Sequence, residues 1–122
     1  MAIIGLGGIF FKTRDPEGLR NWYRDKLGLD FKDTLGAVLP ACREGETDAY
    51  GVLGLFTEDS DYFAPSDARF MINFRVDDLA ATLESLRAKD VAILGGPETH
   101  PEGLFAWIQD PEGLKIELWQ PT

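Results

Sequence analysis

The residues of this chain that could do chemistry are few, and they recur on alternate positions of apolar runs. Glu117 stands in Lys115-Ile116-Glu117-Leu118-Trp119. Strand alternation puts Lys115, Glu117 and Trp119 on one face there, and Ile116 and Leu118 on the other. Asn73 and Arg75 likewise oppose Ile72, Phe74 and Val76. A carboxylate among aromatic side chains can serve as a base or as an acceptor for a ligand. It can equally be tied by Arg75 or Lys12 in a structural ion pair. Arg75 and Asn73 can anchor a carbonyl or an anion, or make an ion pair or an interface contact. Phe10, Phe56, Met71, Phe105, Trp107 and Trp119 can line a pocket that stacks on a flat molecule, or fill a core.

Other chemistries lack their parts. With 1 His and 1 Cys the chain cannot complete a Cys/His zinc site alone. His100 falls in Thr99-His100-Pro101-Glu102-Gly103, a loop by composition, and reads as exposed. Cys42 reads as a small buried hydrophobe; a lone cysteine rules out an intrachain disulfide and fits a reducing, cytoplasmic compartment. No Ser, Cys or His constellation forms a nucleophile–base pair. The net charge of −9 disfavours nucleic acid and anionic membrane as partners and serves solubility. No apolar run approaches the ~20 residues of a membrane span, and the start, Met1-Ala2-Ile3-Ile4-Gly5, does not resemble a secretory signal.

An internal repeat positions these residues. An offset of 63 lays Gly8-Ile9-Phe10-Phe11-Lys12 over Met71-Ile72-Asn73-Phe74-Arg75, and Gly51–Phe56 over Leu114–Trp119. Each copy opens with a strand that ends on an Asp starting an amphipathic helix: Pro16–Leu27, closed by Gly28, and Leu79–Lys89. The pattern predicts strands over 3–14, Leu29–Lys32, Ala37–Arg43 and Ala49–Thr57 in the first copy. The second copy, beginning at Arg69, adds strands over Val91–Leu94, Leu104–Gln109 and Leu114–Gln120. Asp110-Pro111-Glu112-Gly113 predicts a type I turn. The polar, acidic stretch Glu58–Asp67 reads as a solvated connection. The expectation is one α+β domain over residues 1–122: two paired βαβββ modules, about 1–60 and 67–122, whose curved sheet forms a cup.

Three segments resemble the glyoxalase/bleomycin-resistance/dioxygenase (vicinal oxygen chelate) superfamily. They are Asp15-Pro16-Glu17 with Trp22–Leu29, then Phe74–Leu79, then Asp110-Pro111-Glu112-Gly113 running on through Trp119. The resemblance spans essentially the whole chain and implies a βαβββ cup in a homodimer. It also implies that metal-dependent relatives place ligands where this chain has Gly8, Gly54, Met71 and Glu117. Of these only Glu117 suits a hard or borderline divalent metal; a thioether is a soft donor.

The expected function is therefore binding of a small, largely apolar or aromatic ligand in the cup, without metal or other cofactor. Glu117 is the candidate catalytic residue. Phe10, Phe56, Met71, Asn73, Arg75, Trp107 and Trp119 are the candidate ligand-binding residues. With Arg75 facing inward, the ligand expected is flat and carries one carbonyl or acidic group. The alternatives are a metal-dependent glyoxalase-like lyase or isomerase, a dioxygenase, or a metal-independent enzyme using Glu117.

Overall fold

The computed structural model describes residues 2–27, 29–32, 34–40 and 50–122. Strand β1 (Ile3–Thr13) hands over to helix α1 (Pro16–Leu27) at Asp15, whose Oδ1 accepts from the Gly18 amide at 3.0 Å. Asp78 repeats the device at α2 (Leu79–Ala88), accepting from the Ala81 amide at 3.0 Å. Each satisfies a helix-start N–H that would otherwise lack a partner. The other strands are β2 (Gly36–Pro40), β3 (Tyr50–Thr57), β4 (Phe70–Val76), β5 (Ala92–His100), β6 (Gly103–Gln109) and β7 (Lys115–Pro121). The β6–β7 turn is as the sequence predicts: the Gly113 amide donates to the Asp110 carbonyl at 3.1 Å, and Gly113 sits at φ +90°, where a side chain would be strained.

The strands form one curved mixed sheet in the order β2-β3-β1-β4-β7-β6-β5, an α+β architecture. The modules meet at the antiparallel pair β1/β4, where Phe10 faces Met71. Within each module the first strand runs parallel to the last, β1 with β3 and β4 with β7. The sequence repeat carries one pairing onto the other. Ile9 opposite Leu53 becomes Ile72 opposite Ile116, and Phe10 opposite Gly54 becomes Asn73 opposite Glu117.

The alternation assigned from sequence holds. Val76, Leu79, Leu83, Ala106 and Leu118 make the core under α2. Phe11, Leu19, Tyr23, Phe31 and Leu55 pack under α1. On the opposite, concave face, Phe10, Phe63, Met71 and Trp107 cluster.

Three expectations need correction. Leu29–Lys32 is not a strand: Phe31 turns under α1, Lys32 adopts φ +51°, and Thr34 closes the turn by donating from its hydroxyl to the Phe31 carbonyl at 2.9 Å. The 58–67 connection is not merely solvated. It is a chain of turns that drives Phe63, 0% exposed, into the concave cluster. Burying such a ring contributes roughly 1.5–3 kcal/mol. Finally, β5 runs on past Leu94 through register shifts around Gly95, so His100 ends a strand instead of sitting in a loop. It is exposed, with Nε2 3.1 Å from Glu98. The expected strand ends at Arg43 and Ala49, the Gly28 helix stop and buried Cys42 lie outside the described residues.

Candidate functional site

Three neighbouring strands bring Asn73, Glu117 and Trp107 side by side on the concave face, in register from β4 through β7 to β6. The 58–67 connection adds Tyr62. Glu117 is 2% exposed. Its Oε1 accepts from Asn73 Nδ2 at 2.6 Å; its Oε2 accepts from Trp107 Nε1 at 2.8 Å and from the Tyr62 hydroxyl. Among the described residues its hydrogen-bond partners are these neutral groups, not Arg75 or Lys12. A buried carboxylate needs such donors to offset its lost hydration. It offers about four acceptor positions, so about one remains for another molecule.

The partners are held in turn. Burial, followed by the negative charge of Glu117 and the hydrogen bond to it, pushes the Tyr62 phenol well above its ordinary range and keeps it a donor. Lys115 Nζ donates to the Tyr62 carbonyl at 2.6 Å and lies 5.1 Å from the centre of its ring. Burial draws the Lys115 ammonium downward against the pull of Glu117. The Asn73 amide must turn its nitrogen to the carboxylate, which leaves buried Oδ1 directed at Gly7 and without a partner. A Cβ on Gly7 would come within 1.8 Å of that oxygen, so only glycine fits here.

Beside Glu117 lies a cavity of about 300 Å³. Phe10, Tyr50, Val52, Phe105 and Trp119 wall it; Asn73 and Glu117 reach it from the sheet, and Glu102 borders it. Trp119 is fixed by its Nε1, which donates to the Glu102 carbonyl at 2.9 Å, and by stacking on Phe105 with centroids 6.1 Å apart. A second cavity of about 270 Å³ shares Glu102 and Phe105 and reaches Tyr62, Glu98, His100 and Trp107. A wider, open depression of about 730 Å³ lies apart, between Lys12, Arg14 and Trp22 at the start of α1. Glu117 does not reach it, and its walls are half-buried or exposed side chains.

The model of the Glyoxalase/Bleomycin resistance protein/Dioxygenase superfamily matches residues 5–118. The chain belongs to this superfamily. No curated protein matches it in sequence. Among solved structures it is similar to a variant of Streptomyces coelicolor methylmalonyl-CoA epimerase in complex with 2-nitronate-propionyl-CoA, with 17% identity, TM-score 0.77 and 99% of each chain covered. It is also similar to methylmalonyl-CoA epimerase from Mycobacterium tuberculosis, with 19% identity, TM-score 0.72, and 98% of this chain and 89% of that one covered. A superfamily member from Vibrio splendidus gives 17% identity and TM-score 0.59, over 92% of this chain and 95% of that one. Such identities speak for the fold alone.

The superfamily's metal positions can be tested on these side chains. Gly8 and Gly54 supply no donor, and the Phe10 ring fills the space beside Gly54, where a Cβ would lie 2.8 Å from Phe10 Cδ1. Met71 is fully buried in the aromatic cluster. Glu117 already receives three hydrogen bonds. Among the described residues no three His, Cys, Asp or Glu side chains converge. This donor set does not fit a divalent metal.

Of the residues singled out from sequence, Phe10, Asn73, Phe105, Glu117 and Trp119 meet at the first cavity. Trp107 lines the second and binds Glu117. Phe56 stacks on Tyr62 with centroids 5.3 Å apart, and both Phe56 and Met71 lie within the aromatic cluster, away from both cavities. Arg75 lines neither cavity; its guanidinium lies against Gly5, and its buried Nε lacks a partner. Arg75 keeps the facing that alternation assigns, but its guanidinium lies over Gly5, its register partner on β1, and does not line either cavity. Sequence reasoning missed Tyr62, Tyr50 and Glu102. The signal for Tyr62 was an aromatic pair, Tyr62-Phe63, inside an otherwise acidic connection.

Proposed function

We propose that this protein binds a small, largely apolar organic molecule in its cup, without a metal, with Glu117 touching the ligand. The observation that carries this is the cavity of about 300 Å³ beside a buried carboxylate, with Phe10, Tyr50, Phe105 and Trp119 and two valines among its walls. Apolar walls with a few placed polar groups are the usual make-up of small-molecule sites. The hydrogen bonds to Glu117 favour orienting a ligand over abstracting its proton, because most of the acceptor positions are taken. Titration with a panel of small aromatic compounds is expected to quench tryptophan fluorescence through Trp119 and to raise Tm. Val52→Trp, which fills the cavity, is expected to abolish both responses. A panel that changes neither signal in the unaltered protein removes this reading.

The same reading includes a homodimer in a reducing, cytoplasmic setting. Cys42 as the single cysteine supports the compartment. Ile3, Ile4, Leu6 and Ile9 expose a run of apolar surface along β1, which supports a partner there. Sedimentation at micromolar concentration is expected to give twice the chain mass; a monomer counts against it.

A further inference from the structure

The cup presents acceptors, its described walls hold no Lys or Arg, and His100 at the second cavity is already engaged with Glu98 at 3.1 Å. Glu102 and Glu117 border the first cavity, and Glu98 and Glu102 the second; among the described residues no Lys or Arg lines either. Arg75 lies against Gly5, and Lys115 is engaged with the Tyr62 carbonyl. Four rings surround the first cavity: Phe10, Tyr50, Phe105 and Trp119. The buried Asn73 Oδ1, an acceptor with no donor, belongs to a residue lining the same cavity. The local field is negative as well. The Tyr50 phenol is raised by burial and then by Glu102 against the weaker opposing pull of Arg75, and the Tyr62 phenol by burial, Glu117 and, more weakly, Glu98. Glu102, Glu117 and the Asn73 Oδ1 all accept hydrogen bonds, and the two carboxylates favour a donor with positive charge.

We propose that the cup selects an organic cation, an amine whose ammonium sits among the aromatic rings and is balanced by Glu117 and Glu102. This rests on the reading of the cup as a ligand site and adds the ligand's class. A cation gains from the rings by their quadrupoles and from the carboxylates by charge. An anion meets two carboxylates, and among the described residues no Lys or Arg lines either cavity to offset them. Because Glu102 and Phe105 belong to both cavities, a longer amine can extend from one into the other.

Calorimetric titration of the full chain with three matched probes tests the proposal: phenethylamine, 2-phenylethanol and 3-phenylpropionate at neutral pH. The amine is expected to bind at least about tenfold more tightly than the alcohol, and the acid more weakly than both. Added salt is expected to weaken the amine and leave the alcohol unchanged. Glu102→Gln supplies the second measurement. The Glu102 side chain is exposed and its backbone carbonyl, which holds Trp119, survives the change. This variant is expected to lose about threefold to tenfold in affinity for the amine and none for the alcohol. Equal or tighter binding of the alcohol or the acid overturns the proposal while leaving the cup a ligand site. So does an equal loss for amine and alcohol in Glu102→Gln. If none of the probes binds and tryptophan fluorescence does not respond, the ligand-site reading falls too.

Discussion

Phe10 beside Gly54 and Asn73 beside Glu117 occupy the same place in the two modules: adjacent parallel strands, equal register, concave face. In the first module a ring takes the space that a glycine leaves, so tightly that a Cβ on Gly54 would lie 2.8 Å from it. In the second, an amide donates to a carboxylate at 2.6 Å. The backbone is shared, so side chains alone make one half of the concave face a hydrophobic fill and the other a polar floor. The connection between the modules sharpens the contrast. Phe63 joins the fill, and Tyr62 crosses to the polar side.

The strongest test of that contrast empties the filled half. Phe63→Ala is expected to cost about 3–5 kcal/mol in denaturant unfolding, because it opens a cavity among Phe10, Met71 and Trp107. Next comes the cross-tie: Tyr62→Phe removes one donor from a buried carboxylate and is expected to cost about 1.5–3 kcal/mol. The same phenol gives a pH signature. Its folded pKa lies above the ordinary 10.0, so its stabilisation is complete below about pH 10 and is lost as pH rises further, since the unfolded phenol ionises first. Tyrosinate absorbance on an alkaline ramp should show one tyrosine appearing only together with unfolding, and that step should vanish in Tyr62→Phe.

A smaller effect comes from blurring the two pairings. Gly54→Ala crowds the Phe10 ring and is expected to cost about 1–3 kcal/mol, partly recovered when Phe10→Leu is added. A double-mutant cycle by thermal unfolding reads the recovery; strict additivity would mean the two positions do not share the space. Least of all should come from Tyr50→Phe at the open cavity. It removes the same hydroxyl as Tyr62→Phe but lies outside the Glu117 network, and is expected to stay within about 0.5 kcal/mol.

Much of this arrangement was legible in the sequence, for a physical reason. Alternation has a period of two, so once β4 and β7 were placed, the facing of Asn73 and Glu117 followed, and the repeat then fixed Phe10 and Gly54. Helix starts at Asp15 and Asp78 were equally readable, since a capping carboxylate acts locally. The failures are long-range. Arg75 has the facing its strand dictates, yet its flexible side chain runs to Gly5, which no periodicity reveals. Tyr62 lies in an acidic stretch without period; its value as a donor appears only when Glu117, 55 residues away, is in place. Phe31 looked like part of a strand because an apolar residue between polar ones satisfies either a strand or a turn under a helix.

The Tyr62 hydroxyl, carbonyl and ring edge are met by Glu117, Lys115 and Trp107, and these three lie late in the chain. During synthesis the strands of the first module are finished by Thr57, yet their inner aromatic surface waits for β6 and β7 to leave the ribosome. A duplicated sequence thus does not yield two halves that mature in turn. A nascent chain halted at residue 114 lacks Lys115 and Glu117 to hold Tyr62 and should bind a hydrophobic dye that the finished protein excludes, so the last strand to be made fastens the connection laid against the first module.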